Sequence, residues 1–265
     1  MWQYRLTDAL SGGKLMFLGT GTSTGVPQMG CRCAVCRSDD RRDRRLRTSA
    51  LLETADGRRV LFDCGPDFRQ QMLRLPFSRL DAVLLTHEHY DHVGGLDDLR
   101  PFSVFGNVEV FAGVSCARHL QERIPYCFVA HKYPGVPQIR LHTLEPGGVQ
   151  HIAGLDVLPI EVMHGKLPIL AYRIGSFAYI TDMSAIAPGE LERLRGVRTL
   201  VLNALRLEPH HSHESLDEAL EMIATLQPER SFLIHASHQI GLHESVQAGL
   251  PEGVTLAYDG LQVSL

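Results

Sequence analysis

The chain of 265 residues lacks three features that would assign it to common protein classes. No apolar run reaches the roughly 18–20 residues needed to span a bilayer. The first residues have neither the apolar core nor the small-residue cleavage site of a signal peptide. The formal charge is −4, from 26 Lys and Arg against 30 Asp and Glu, so no overall basic field attracts nucleic acid or an anionic membrane. We therefore expect a cytoplasmic protein with no membrane or nucleic-acid partner.

Cysteines are few, and their spacing does not favour disulfides. Three of the six lie close together at Cys31, Cys33 and Cys36, and the other three are scattered. Near-adjacent cysteines cannot readily bridge one another, and a reducing cytoplasm discourages disulfides. Thiolates at this spacing are typical of a zinc site. A tetrahedral site with three thiolates needs a fourth ligand, a histidine, from elsewhere in the chain.

The remaining composition is that of a soluble globular protein, with 44% hydrophobic and 21% charged residues. Strands are predicted at 14–19, 49–54, 59–63, 82–86, 108–112, 155–162, 170–174, 177–181, 199–202, 231–234 and 254–257. Helices are predicted at 67–75, 115–123, 188–194 and 215–226, and loops with edge strands at 125–150. Strands mixed with helices throughout, with no low-complexity hinge, favour one layered α/β domain.

Potential metal ligands are most concentrated at residues 87–92, directly after a predicted buried strand. Histidine and aspartate are costly to bury unless they are paired or bound to metal. His87 and His89 are two residues apart, so on an extended segment they point the same way and can bind one ion. Asp91 and His92 lie past the turn, where they can reach a second ion. A solvated polar loop is the alternative, and the density of ligands argues against it.

Four further candidate ligands stand where an apolar strand stops. They are Asp63, His164, Asp182 and His235. Open α/β sheets place their functional sites at the carboxyl ends of strands. Each residue alone is explained by ordinary surface or supporting chemistry, but five such strand ends in one chain indicate a single site.

The order of these residues resembles the signature of the metallo-β-lactamase superfamily, over the chain from about residue 14 to the end. The resemblance implies an α/β fold, a four-layer αβ/βα sandwich over residues 14–265 that follows an N-terminal extension over residues 1–13. It implies two divalent catalytic ions, of zinc, manganese or iron. The implied ligands are His87, His89 and His164 for one ion, Asp91, His92 and His235 for the other, with Asp182 bridging and Asp63 orienting ligands by hydrogen bonds.

Two further features resemble the PhnP-type cyclic phosphodiesterases of phosphonate utilisation. The first is the cysteine-rich loop at residues 31–36 together with His238, which implies a structural zinc bound by Cys31, Cys33, Cys36 and His238. The second is His213, just before the predicted helix 215–226, where phosphodiesterases of this superfamily place a general acid. His210 and His211 are the alternatives, as simple surface residues. The chain departs from related sequences at Asn203, where many carry aspartate.

The resemblance implies a metal-dependent phosphodiesterase that hydrolyses a small, cyclic phosphodiester or nucleotide through a metal-bridging hydroxide. Asp91 would orient the hydroxide, and His213 would protonate the leaving group. Arg47, with Ser49, is a candidate to contact a substrate phosphate. The alternative for the arginine-rich segment 37–47 is a solvated loop with internal ion pairs. A homodimer is the default expectation.

Two other functions remain open from the sequence. One is hydrolysis of a thioester, lactone or amide on the same scaffold. The other is a non-hydrolytic accessory role, as in pyrroloquinoline quinone biosynthesis, whose proteins share this fold and a cysteine-rich zinc knuckle. A tRNA-processing nuclease is less expected, because such an enzyme needs a basic arm to grip tRNA.

Overall fold

The computed structural model describes residues 10–129, 132 and 134–265. The strands are β1 (Lys14–Gly19), β2 (Ser49–Glu53), β3 (Arg59–Phe62), β4 (Ala82–Leu84), β5 (Val108–Gly113), β6 (Ile139–Leu144), β7 (Gln150–Ile152), β8 (Leu155–His164), β9 (Leu167–Ile174), β10 (Phe177–Tyr179), β11 (Thr199–Asn203), β12 (Arg230–Ile234), β13 (Val254–Leu256) and β14 (Gln262–Ser264). The α-helices are α1 (Phe68–Met72), α2 (Tyr90–Val93), α3 (Val114–Arg123), α4 (Pro188–Glu192), α5 (Leu216–Leu226) and α6 (His243–Gly249). Among these described residues, no helix has the length and apolarity to cross a membrane.

The strands form two seven-stranded mixed sheets. The first has the order β14-β1-β2-β3-β4-β5-β6, and the second has the order β13-β12-β11-β10-β9-β8-β7. In each sheet, one half is antiparallel and the other half is parallel. The parallel halves matter for function, because their strands deliver the polar residues that follow them to one edge of the molecule.

Three apolar layers hold these elements together. Side chains from both sheets meet in a central core, where the ring of Phe62 stacks on Tyr179 with ring centroids 4.5 Å apart. A second cluster, with Leu99 and Ala117, lies between the first sheet and its helices. A third, with Ala219 and Leu226, lies under α5 on the second sheet. Two sheets flanked by helices on both outer faces confirm the predicted αβ/βα sandwich.

Helix α5 begins with a capping box. The side chain of Ser215 accepts from the backbone N–H of Glu218, and the Glu218 carboxylate accepts from the backbone N–H of Ser215 over 2.7 Å. Reciprocal bonds of this kind satisfy amide groups that the first helical turn leaves unpaired. The cap therefore fixes where the helix begins, just after the histidine-rich segment 210–213.

The predicted N-terminal extension over residues 1–13 falls mostly outside the described residues, which begin at residue 10. Leu10 is only 4% exposed and belongs to the central core. The backbone N–H of Gly12 donates to the carbonyl of Leu265 over 3.3 Å. The described part of this segment therefore packs with the rest of the fold.

Phe62 provides a test of the inter-sheet core. Replacing Phe62 with Ala removes the ring that contacts Tyr172, Phe177 and Tyr179, and we expect a loss of about 3–5 kcal/mol in the free energy of unfolding. Urea denaturation followed by circular dichroism measures it. Phe77→Ala, at a phenylalanine that is 57% exposed, is the matched control and should cost clearly less. Equal losses in the two variants would contradict this account of the core.

Candidate metal centre

Three of the predicted site residues have left-handed backbone conformations where strands end. Asp63 directly follows β3 with φ 57°, Asp182 lies just beyond β10 with φ 58°, and His235 directly follows β12 with φ 57°. Positive φ is uncommon for residues other than glycine and clusters at functional sites. At each position the chain turns sharply off its strand and leaves the side chain at the sheet edge.

Backbone hydrogen bonds join the two sheets at this edge. On one side, the N–H of Leu170 donates to the carbonyl of Thr86 over 3.0 Å. On the other side, the N–H of Ala236 donates to the carbonyl of Thr20 over 3.0 Å, and the N–H of Thr22 returns a bond to Ala236 over 3.1 Å. The ligands contributed by the two sheets are therefore held at a fixed separation.

Asp63 is fully buried and orients the 86–92 segment. One oxygen of its carboxylate accepts from the backbone N–H of Thr86 over 2.8 Å. The other lies 2.7 Å from Nδ1 of His92. A carboxylate at one ring nitrogen places the proton there and presents the other nitrogen, Nε2, to a metal. This geometry agrees with the orienting role predicted for Asp63.

Asp91, His92, Asp182 and His235 form one compact group whose ligand atoms lie within 4.8 Å of one another. The Nε2 atom of His92 is 3.1 Å from Asp91 Oδ2 and 3.4 Å from Asp182 Oδ2. The Nε2 atom of His235 is 3.6 Å from Asp91 Oδ2 and 3.2 Å from Asp182 Oδ1. Tetrahedral bonds of typical Zn–N and Zn–O length separate neighbouring ligand atoms by about 3.4 Å. The four side chains are therefore spaced as ligands of one ion.

His87, His89 and His164 form a second group beside the first. Nε2 of His87 lies 2.9 Å from Nδ1 of His89 and 3.8 Å from Asp182 Oδ2. His164 donates from Nδ1 to the carbonyl of Ser212 over 2.7 Å, so its Nε2 is the nitrogen left to bind a metal. Asp182 stands between the two groups, as expected for a bridging carboxylate.

Electrostatics and hydrogen bonding both indicate that this cluster is built for divalent cations. Within the described structure, Nε2 of His92 and both ring nitrogens of His235 are buried without a hydrogen-bond partner. Burial lowers the pKa of His87 well below its usual value, which favours the neutral imidazole that binds metal. Burial alone would raise the pKa of Asp182, but His235 and His92 hold it well below its usual value. A buried carboxylate that stays ionised among imidazoles suits a divalent ion.

His213 lies at the rim of the same centre. Its Nε2 atom is 3.4 Å from Asp182 Oδ2, and its ring centroid is 4.6 Å from that of His164. Burial lowers the pKa of His213 to about 4, against the opposing effect of Asp182. The ligand atoms of His164, Asp182 and His213 also lie within 4.8 Å of one another. His213 is thus placed either to face a substrate or to bind metal.

Asn203, the departure from related sequences, forms its side-chain hydrogen bonds with Met183. It is fully buried, and its side-chain amide both accepts a hydrogen bond from the backbone of Met183 and donates one to it. The side-chain oxygen accepts from the Met183 N–H over 2.8 Å, and the side-chain nitrogen donates to the Met183 carbonyl over 2.9 Å. Only an amide makes both bonds, since a carboxylate cannot donate. Asn203 therefore stabilises the turn that carries Asp182.

The cysteine-rich loop and His238 lie together, as one shared metal site would require. Nδ1 of His238 lies 3.7 Å from Cys31 Sγ and 3.4 Å from Cys33 Sγ, against about 3.6 Å for neighbouring sulfur and nitrogen ligands of tetrahedral zinc. The backbone N–H of Cys36 donates to Cys33 and lowers the pKa of that thiol to about 6. Burial raises the pKa of Cys36 to about 11. A cation is what would hold all three sulfurs as thiolates.

The two candidate phosphate contacts differ in their surroundings. Ser49 is 1% exposed, and its hydroxyl lies 3.0 Å and 2.9 Å from the carbonyls of Phe62 and Asp63, so it supports the Asp63 turn from the buried side. Arg47 pairs with Asp67 over 2.9 Å, and its side chain keeps 29% of its surface exposed. Only Arg47 remains accessible to a substrate.

The arginine-rich segment 37–47 is not simply a solvated loop. Arg42 pairs with Asp40 over 2.7 Å, as that interpretation predicts. Arg45, however, is 4% exposed and donates to the hydroxyl of Thr20 over 2.9 Å. Asp43 is also buried and accepts from the backbone N–H of His243 over 2.7 Å. The segment therefore anchors the cysteine-rich loop to the C-terminal part of the chain.

Sequence reasoning missed two residues that hold ligands in place. Thr86 donates its backbone N–H to Asp63, and its hydroxyl lies 3.0 Å from Nδ1 of His87. Its position at the end of the predicted strand 82–86 was the only indication in the sequence. Ser212 holds His164 through its backbone carbonyl, which no side-chain pattern reveals.

Comparison with known proteins agrees with this geometry. The chain belongs to the metallo-β-lactamase superfamily, since the family model described as a beta-lactamase superfamily domain matches residues 58–236. Within that superfamily, the chain is similar to a solved diphosphatase of the PhnP family, at 38% identity and a TM-score of 0.88 over 96% of this chain and 98% of the other. Both resemblances inferred from the sequence are confirmed.

Two other proteins are similar to the chain. An octanoyltransferase of Porphyromonas gingivalis is 46% identical over 250 residues, which are 94% of this chain and 51% of the relative. The chain thus spans about half the length of that relative. Zinc-bound PqqB of Methylobacterium extorquens has a TM-score of 0.78 at 22% identity, over 95% of this chain and 100% of its own, which shows a shared fold.

The cysteine-rich site predicts a metal stoichiometry. Cys33→Ser removes one of the three thiolates, and we expect the purified variant to hold about one zinc equivalent less than wild type while it keeps the metal bound elsewhere. Inductively coupled plasma mass spectrometry measures this. Cys64→Ala, at a buried cysteine outside the cluster, is the control and should keep the wild-type content. An unchanged zinc content in Cys33→Ser would rule out the site.

Proposed function

We propose that the chain is a metal-dependent phosphodiesterase acting on a small phosphate ester. The two groups of ligands would hold a pair of divalent ions, bridged by Asp182. Such ions lower the pKa of a bound water and neutralise charge on a phosphate. The observation that carries the proposal is the position of His213, whose Nε2 lies 3.4 Å from Asp182 Oδ2 at the rim of the ligand cluster. There, its imidazole can give a proton to a leaving oxygen.

A positioned acid favours substrates with poor leaving groups. An alkoxide must be protonated as it departs, and general acid catalysis of this step is worth about 10²–10⁴-fold. A thiolate leaves a thioester without such help. His213 therefore favours a phosphate ester over a thioester, and the 38% identity to a PhnP-family diphosphatase favours phosphorus chemistry independently.

A phosphoanhydride is the second candidate substrate. The PhnP-family relative is a diphosphatase, and the same ligand set would serve cleavage of a P–O–P bond. The phosphate that departs in this reaction is a better leaving group than an alkoxide, so it depends less on His213. A comparison of a nucleoside diphosphate with an alkyl phosphodiester distinguishes the two substrates.

Other functions have less support from the site. A non-hydrolytic accessory role gives no reason for seven potential ligands to converge with the spacing of metal bonds. Acyl transfer through a protein thiol needs an accessible thiolate. All cysteines of the chain lie among the described residues, and those outside the zinc cluster, Cys64, Cys116 and Cys127, are buried with pKa values raised by burial. The name octanoyltransferase also belongs to a protein about twice as long.

The first experiment is steady-state turnover of bis(p-nitrophenyl) phosphate by metal-reconstituted enzyme. We expect activity in the wild type and its loss in Asp182→Ala, because that change removes the carboxylate shared by both groups of ligands. Metal content is measured in parallel. No turnover by wild type with two catalytic ions bound would contradict the proposal.

His213→Ala separates the role of an acid from that of a ligand. We expect the variant to retain its catalytic metals and to lose about 10²-fold or more in kcat on an alkyl phosphodiester, but much less on a nitrophenyl ester. The readout is the ratio of the two rates in variant and wild type. Equal losses on both substrates, or loss of a metal ion, would remove His213 from the acid role.

A further inference from the structure

The Nδ1 atom of His213 belongs to a small group of hydrogen-bonded atoms on the 210–213 segment. This atom lies 3.2 Å from Nδ1 of His210 and 3.1 Å from Oγ of Ser212. The Ser212 hydroxyl is also 3.3 Å from Nδ1 of His210. His213 therefore has two different neighbourhoods, with the metal ligands at Nε2 and His210 at Nδ1.

A backbone amide identifies the acceptor in this group. The N–H of Ser212 is directed at Nδ1 of His210 over 3.4 Å, and an amide N–H can only donate. Nδ1 of His210 therefore acts as an acceptor, which is the role of an unprotonated ring nitrogen. Such a nitrogen cannot donate to His213, so the 3.2 Å contact between the two Nδ1 atoms is a hydrogen bond when His213 carries its proton on Nδ1.

The segment is held in place before any substrate binds. Arg206 donates from Nε to the carbonyl of Glu208 over 3.0 Å and from Nη2 to the carbonyl of Pro209 over 2.7 Å, directly before His210. Its Nη1 reaches Oε1 of Gln239 over 3.3 Å. Burial lowers the pKa of His210, which keeps its ring neutral and its lone pair available. By contrast, the adjacent His211 is exposed.

We infer that His210 is a positioning residue that accepts the Nδ1 proton of His213 and so presents Nε2 of that ring to the leaving group. The sequence alone had left His210 as a surface residue. With Nδ1 directed at His210, Nε2 is the ring nitrogen that faces the metal ligands, 3.4 Å from Asp182 Oδ2, and it is the one presented to a leaving oxygen. The logic is that of a hydrogen-bond partner fixing the tautomer of a catalytic histidine.

This inference rests on the proposed function, and three variants test it. His210→Ala removes the acceptor, and we expect kcat on an alkyl phosphodiester to fall roughly 10- to 100-fold, with KM and metal content unchanged and little loss on a nitrophenyl ester. His210→Asn places an amide oxygen near the position of Nδ1 and should recover most of the rate. His211→Ala is the matched control on the same segment and should behave as wild type.

A spectroscopic measurement separates failure of this inference from failure of the proposed function. Nitrogen-15 NMR of the zinc-loaded protein, labelled at histidine, reports which ring nitrogen of His213 carries the proton, and His213→Gln assigns the signals. We expect Nδ1–H in wild type and in His210→Asn, and a changed pattern in His210→Ala. An unprotonated Nδ1 in wild type, or a pattern unaffected by His210→Ala, would overturn the inference whether or not the enzyme hydrolyses phosphodiesters. Equal rate losses in His210→Ala and His211→Ala would do the same.

Discussion

Burial of carboxylates among imidazoles is the constraint on which the rest of the site depends. Asp63 and Asp182 are almost completely buried, and each is surrounded by hydrogen-bond donors rather than by water. Placing charge there is costly unless partners are held at close range. The left-handed turns after β3, β10 and β12 bring those partners together. These partners come from both sheets, and backbone hydrogen bonds join the two sheets at the same edge.

The two groups of potential metal ligands are connected through one short turn. His235 belongs to the His/Asp cluster and His238, three residues later, lies against the cysteines. Between them, the backbone N–H of Ser237 donates to the carbonyl of Leu205 over 2.8 Å, next to Arg206 at the start of the segment that leads to His213. The turn that follows His235 is therefore held next to the cysteine-rich loop, so the two groups of ligands are fixed relative to each other.

Regular elements with strong local patterns were predictable, and elements defined by their neighbours were not. The predicted strand 59–63 is β3, and the predicted helix 215–226 is α5. Strand β6 at the edge of the first sheet lies in the region assigned to loops and edge strands. Helix α6 and the 3₁₀ helix Leu96–Phe105 were missed. The latter contains Pro101, which breaks a helical pattern when only local sequence is considered.

The sequence by itself indicated which residues gather at the site, because most of the candidate ligands follow strands that lie in the parallel halves of the two sheets. His164 is the exception, since it ends β8, which pairs antiparallel with both of its neighbours. The sequence also indicated that three thiolates need a histidine. Only the tertiary structure decided that Asn203 supports Met183, that Ser49 faces inward and that His210 lies against His213. Those contacts join residues through backbone atoms and through segments with no periodic pattern. Such contacts cannot be predicted from local sequence, because the packing of the folded chain determines which atoms lie close together.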